Sequence, residues 1–219
     1  MQRLFDIKKT QLEMVRDRGY DISSEEAILT MTLGDFTYYT STLAAQLNTA
    51  IRSALSRLYL SQNEYNGRRR VMLVYYGSKT KKEQKEVPVH VARNFIAEIN
   101  KYNVFEAVLI VNSDLSHDGA KLLSTIKTSN IQVFLDVDIT YNPTSHIDTP
   151  RHELLSPEEA MNKLREMKVD MSKLLLMKTT DPVCRYYGWS AGNIVKIHRN
   201  DTAISILAPK SINYRIIVE

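Results

Sequence analysis

Apolar positions follow two patterns along this chain, one with the period of a helix and one of unbroken runs. Phe5, Leu12 and Val15 recur at helical spacing and Gly19 ends the series, so residues 3–18 are expected to form a helix. Ser23 or Ser24 can cap a short second helix, and Leu43, Leu47, Ile51, Leu55 and Leu58 make one apolar stripe that predicts a longer third. Residues 71–76 read as a buried strand, 79–86 as a charged connection and 87–91 as the start of a further segment. A helical pattern over 95–102 precedes a continuous apolar strand at 107–111, a helix at 119–126 and a strand at 131–137. Strands without polar alternation, separated by helices, imply a sheet buried on both faces and at least partly parallel.

Turn residues and a proline make 141–145 the expected linker. Beyond it the pattern predicts a helix over 156–167, a short helix after Asp181, and strands near 194–199, 204–207 and 213–218. The fold class is therefore α/β plus α+β: a mixed sheet flanked by helices over residues 1–145, then a small α+β domain over 146–219.

The run from Asp181 to Arg199 carries the densest local instructions. Asp181 can cap a helix whose first turn takes Pro182, since no backbone donor is needed there. Gly188 can stop that helix in a left-handed conformation. Residues 190–193 have turn chemistry, and 194–198 have the composition of a strand. The run holds no paired carboxylates and no His/Cys cluster, so it reads as a shape and a surface.

Those residues resemble the C-terminal signature of the fifth subunit shared by the eukaryotic nuclear RNA polymerases, a family with a shorter archaeal counterpart. The family pattern of Asp-Pro-Val, a later Gly, and Gly-(Asp/Glu)-Val-Val-Lys-Ile-Ile-Arg falls on Asp181-Pro182-Val183, Gly188 and Gly192 to Arg199. Upstream, its His, Pro, His, Leu-Ser and acidic pair fall on His146, Pro150, His152, Leu155-Ser156 and Glu158-Glu159. Glu13 to Tyr20, followed by Ser24-Glu25-Glu26, is similar to the segment found only in eukaryotic members. The chain departs from the pattern at Ser190-Ala191, where a basic pair is usual, at Leu174-Leu175 in place of Leu-Pro, and in the longer 204–212 segment before Tyr214-Arg215. By the same comparison the long third helix is an insertion of about a dozen residues.

The resemblance implies a non-catalytic subunit of a multisubunit DNA-dependent RNA polymerase, acting in the nucleus and carrying no cofactor. The magnesium-dependent chemistry would belong to the two largest subunits. The C-terminal domain would dock on the largest subunit through His146, Pro150, His152, Asp181, Pro182, Val183, Gly188, Gly192, Lys196, Arg199, Tyr214 and Arg215. Archaeal relatives have this domain and lack the N-terminal jaw. The jaw would support downstream double-stranded DNA near a turn at 113–117, where Ser116-His117 replaces the family's Thr-Pro. Alternatives are a nuclease-like enzyme using the N-terminal sheet, and a transcription-associated adaptor outside the core polymerase.

Composition narrows this only slightly. At 219 residues and 43% hydrophobic, the chain can bury one or two cores. A net charge of +4 is compatible with grazing nucleic acid and too weak to argue for it alone. Cys184 is the only cysteine, which fits a reducing compartment. No apolar run approaches the roughly 20 residues of a membrane span, and no signal-peptide pattern is expected.

The basic run Arg68-Arg69-Arg70, with Lys79, Lys81, Lys82 and Lys85, fits either a phosphate contact or a solvated turn. His146 and His152 lack partners at zinc spacing and read as hydrogen-bonding residues around the linker and a turn. Asp136 and Asp138 could share one face at a strand end, where solvated carboxylates are expected. Glu83-Gln84-Lys85 has half of a nuclease pattern without its upstream Asp. Gly77-Ser78-Lys79-Thr80 fails the spacing of a phosphate-binding loop. Cys184, between Val183 and Arg185 on a short helix, is expected to pack rather than react.

Overall fold

The computed structural model describes residues 1–79, 85–199 and 211–219. Two compact units divide the chain, Met1–Tyr141 and Asn142–Glu219. The first begins with α1 (Gln2–Asp17), a single 3-10 turn (Glu26–Leu29), α2 (Leu33–Leu47) and α3 (Ile51–Ala54). It continues through β1 (Arg57–Tyr65), β2 (Arg68–Gly77), α4 (Val89–Tyr102), β3 (Glu106–Val111), α5 (His117–Ser124) and β4 (Asn130–Leu135). The sheet runs β1-β2-β3-β4, antiparallel between β1 and β2 and parallel beyond, so it is mixed.

The leucine stripe does not make one helix. Asn48 takes a left-handed conformation at φ 50° and closes α2, α3 is a single turn, and Leu58 lies on β1. Leu55 is buried while Leu47 is half exposed, so the positions share a spacing but no face. The hairpin that follows has a two-residue turn, Asn66-Gly67, with both residues at positive φ, 53° and 71°. Such a turn matches the right-handed twist of its strands, and Asn-Gly is its strongest sequence signal.

Each face of this sheet is buried by different helices. On one, Phe95 and Ile99 of α4 and Leu123 of α5 pack on Leu73, Ala107, Leu109 and Val111. Gly77 belongs to that contact: a Cβ there would stand 2.7 Å from Val91 Cγ1, too close for any side chain. The glycine before Lys79 is thus explained by packing. On the other face lies α1, whose Gln11 reaches the hydroxyls of Tyr59 on β1 and Tyr76 on β2 at 3.2 and 3.3 Å.

The second unit holds a 3-10 turn (Pro143–Ser145), β5 (Arg151–Leu154), α6 (Pro157–Met167), a further 3-10 turn (Met171–Lys173), β6 (Leu175–Lys178), α7 (Pro182–Tyr187), β7 (Ile194–His198) and β8 (Ile212–Val218). Its sheet order is β5-β7-β8-β6, with only β6 and β8 parallel. Strand alternation sends Val195, Ile197 and Ile217 towards α7, while Ile194 and Tyr214 face α6. Ser156 and Glu159 form a capping box that starts α6, as the Ser-x-x-Glu spacing requires.

The division falls at residue 142 rather than 146. Asn142 caps the first 3-10 turn through Thr144 N and donates to Tyr186 Oη at 3.0 Å, which ties it to α7. The strand expected near 204–207 lies outside the described residues.

Candidate docking surface and nucleic-acid interface

The signature folds as its residues direct. Asp181 accepts from Val183 N at 2.9 Å, Pro182 occupies the first turn, and Gly188 ends α7 at φ 70°. Gly192, at φ 88°, donates to Ile217 O at 2.9 Å, and Ile217 N returns a bond to Asn193 O, pinning the turn to β8. Val183, Cys184 and Tyr186 are buried, and Tyr187 stacks on Trp189 at 4.6 Å. Val183 is therefore core, and Gly188 and Gly192 act as backbone devices that end α7 and hold the following turn.

Burial pushes the Cys184 thiol up to about 12, with the nearby Asp181 carboxylate adding to the effect. Native protein should therefore resist iodoacetamide at neutral pH and react only on unfolding, read by mass spectrometry. Labelling at the rate of a free thiol would put Cys184 at the surface.

The remaining docking candidates do not gather on one patch. His152 lies on β5, not in a turn, with Nδ1 2.6 Å from Pro150 O. Burial draws its pKa down, against the Pro150 carbonyl and Asp181, with Arg215 acting in the same direction as burial. His152, Asp181 and Arg215 thus share one neighbourhood beside the start of α7. Arg215 donates from Nη1 to Leu176 O at 3.5 Å, and its buried Nε has no acceptor among the described residues. Lys196 and Tyr214 pair across strands on the α6 face, where Glu153 meets Lys196 at 3.4 Å and His198 at 3.1 Å. His146 and Arg199 are exposed, and His146 accepts from Asp148 N at 3.2 Å.

Two residues absent from the docking candidates, one of them in the Leu174-Leu175 departure, stand exposed at the sheet edge. Leu175 and Leu176 of β6 are 58% and 61% exposed, one on each face. The signal that could have found them is the chain's departure from Leu-Pro.

In the first unit, the three arginines form no solvated turn, because the turn is Asn66-Gly67 and they open β2. Arg68 and Arg69 are exposed on alternate faces, whereas Arg70 is half-buried against Tyr65 and Phe105. Ser116 caps α5 through Gly119 N, and His117 is exposed beside it. Met72 of β2 pairs with Glu106 at the start of β3, so the arginines lie beyond one end of β3 and Ser116-His117 beyond the other. The roughly 20 Å length of β3 separates them. They are alternative contacts, not one surface.

Asp136 is not a solvated carboxylate. Its two oxygens take Arg52 Nη1 at 2.9 Å and Nη2 at 2.5 Å, while the same guanidinium donates to Gly77 O and Ile110 O. Asp138 instead accepts from Leu135 N, so the two aspartates serve separate partners. Glu83 and Gln84 lie outside the described residues. Among the described residues no group of three His, Cys, Asp or Glu could hold a metal, and no helix is long and apolar enough to cross a membrane.

Comparison with known proteins agrees with this two-unit layout. The family model described as RNA polymerase Rpb5, N-terminal domain, matches residues 1–99, and that of RNA polymerase Rpb5, C-terminal domain, matches 141–217. The chain is 27% identical to DNA-directed RNA polymerases I, II, and III subunit RPABC1 of Caenorhabditis briggsae, over 99% of this chain and 96% of the relative. It is 24% identical to DNA-directed RNA polymerase V subunit 5A of Arabidopsis thaliana, over 90% of this chain and 81% of that protein. With both domain models matched in order along most of its length, the chain belongs to the Rpb5 family of non-catalytic subunits of multisubunit DNA-directed RNA polymerases.

Proposed function

We propose that this chain docks on the largest subunit of a nuclear RNA polymerase through its second unit, and that its first unit is a jaw beside downstream DNA. The observation that carries the reading is the ordered match of both family domains. The second unit's free surface supports it. Leu175 and Leu176 expose apolar area on both faces of an edge strand. Affinity purification of the tagged chain from nuclei of its native cells, with identification of bound subunits, tests the assignment. Recovery with the two largest polymerase subunits is expected; recovery with transcription factors and without those subunits would make it an adaptor.

The jaw reading assigns the DNA contact to Arg68 and Arg69, the exposed pair at the hairpin. Reversing both to Glu, with Arg70 left in place, should lower the salt dependence of polymerase–DNA stability. The log-log slope should fall by about one unit for each phosphate no longer neutralised. An unchanged slope would move the contact to Ser116-His117.

A further inference from the structure

One guanidinium at the β1–β2 hairpin is held unlike its two neighbours. Arg70 Cζ lies 3.6 Å from the ring centroid of Tyr65 and 4.1 Å from that of Phe105. Two centroids so near one carbon must approach it from different directions, so aromatic rings occupy the faces of the group. The backbone beneath is fixed too: Arg70 N donates to Ser61 Oγ at 2.9 Å, and Phe105 N to Val71 O at 2.8 Å. Among the described residues no carboxylate lies within ion-pair distance of Arg70. What stays open is the in-plane edge, whose forked N–H donors match a carboxylate in two parallel bonds. Tyr65 and Phe105 remain 46% and 43% exposed, so apolar ring surface flanks that edge.

We propose that Tyr65, Arg70 and Phe105 form a recognition site for a carboxylate in an acidic, partly apolar segment of a partner protein. Arginine beside exposed aromatic rings is the composition of protein–protein hot spots. The exposed rings beside the fork favour a carboxylate in a partly apolar segment over a run of phosphates. Glu64 is the cross-strand partner of Arg69, and Glu106, next to Phe105, is 3.4 Å from Arg18. Glu64 thus shares the face of Arg69, opposite the clamp, and Glu106 is already held by Arg18. Arg68, the cross-strand partner of Tyr65, borders the site on the same face.

The test is fluorescence anisotropy of the full chain with a fluorescein-labelled peptide of alternating glutamate and leucine. Arg70→Lys keeps the charge and loses the fork, so it should weaken binding about tenfold or more. Phe105→Ala should weaken it less, by about threefold, because the guanidinium remains but is no longer held. Arg93→Gln, which removes an exposed charge on α4 beside the far end of β2, should change it by less than about twofold. On the unmodified chain, the Arg70 Nε–Hε resonance should shift as peptide is added, which tests the site even where a variant folds poorly. Equal losses for Arg93→Gln and Arg70→Lys, tighter binding of labelled oligothymidylate than of peptide, or an unmoved Arg70 resonance would each overturn the proposal.

Discussion

Glu25→Gln is expected to destabilise the first unit by about 3–5 kcal/mol, the cost of stranding one member of a buried ion pair. Lys8 points from α1 into the interior and is fully buried, with Nζ 2.8 Å from Glu25 Oε2. Tyr59 Oη donates to the same oxygen at 2.5 Å and lies 3.2 Å from the ammonium. Gln11 Nε2 donates to that hydroxyl, and Tyr76 Oη to Gln11 Oε1, which ties α1 to both β1 and β2. Burial draws the Lys8 pKa down and the Glu25 carboxylate acts against it, so the ammonium depends on this one partner. In Glu25→Gln the amide oxygen can still accept from Lys8 Nζ, but the charge that balances the buried ammonium is gone, and the other oxygens in reach, Tyr59 Oη and Leu55 O, are neutral.

Lys8→Met should cost less than Glu25→Gln, because Arg57 Nε stays 3.4 Å from Glu25 Oε1. The double variant Lys8→Met with Glu25→Leu should lose less than the sum of the single losses, since no charge is left stranded. Urea unfolding followed by far-UV circular dichroism reads all three. Additive losses would mean that the pair does not act as a unit. A domain is stable by only about 5–15 kcal/mol, so Glu25→Gln alone would remove a large share.

This network is also the clearest case of what the sequence hid. A lysine within a helix ordinarily reads as solvent-facing, and its partners lie 17 and 51 residues away. The ion pair of Asp136 with Arg52 spans 84 residues, and the rings around Arg70 come from two other parts of the chain. Local signals fared better. Residues 3–18, 71–76, 107–111 and 156–167 follow α1, β2, β3 and α6 closely, because each is long and periodic or continuously apolar. Asp181, Pro182 and Gly188 set the ends of α7 through cap chemistry that needs no distant partner.

The strands that the pattern does not reveal have physical explanations of the same kind. β5 and β6 have four residues each, the first largely polar and the second exposed on both faces, so neither gives a period. β1 is masked by the leucine stripe because helical spacing, in steps of four to Leu55 and then three to Leu58, runs on into the strand. Asn66-Gly67 marks the hairpin and outweighs that spacing, since a mid-chain Asn-Gly suits a two-residue turn better than a helix. The docking candidates come from one signature, and the fold spreads them over both faces of a sheet and its core, because alternate residues of a strand face opposite ways.

Residues 142–219 alone are expected to enter polymerase that lacks this subunit, and residues 1–141 alone are not. The second unit has its own four-stranded sheet, covered by α7 on one face and α6 on the other, with a separate apolar cluster under each helix. That is the minimum for folding alone at this size, where a single core supplies about 3–5 kcal/mol. The proposed docking surface is assigned to this unit because its sequence signature implies a likeness to archaeal subunits without the jaw. Pro182→Gly with Gly188→Val in the full chain should weaken incorporation at least several-fold. The first change frees the opening turn of α7, and the second places a β-branched residue at φ 70°, which such residues resist. Competition between each variant and the unmodified chain for the deficient polymerase, read by co-sedimentation, measures both effects. If residues 1–141 co-sediment while residues 142–219 are excluded despite a folded circular-dichroism spectrum, docking belongs to the first unit, and the exposed Leu175-Leu176 edge must serve another partner.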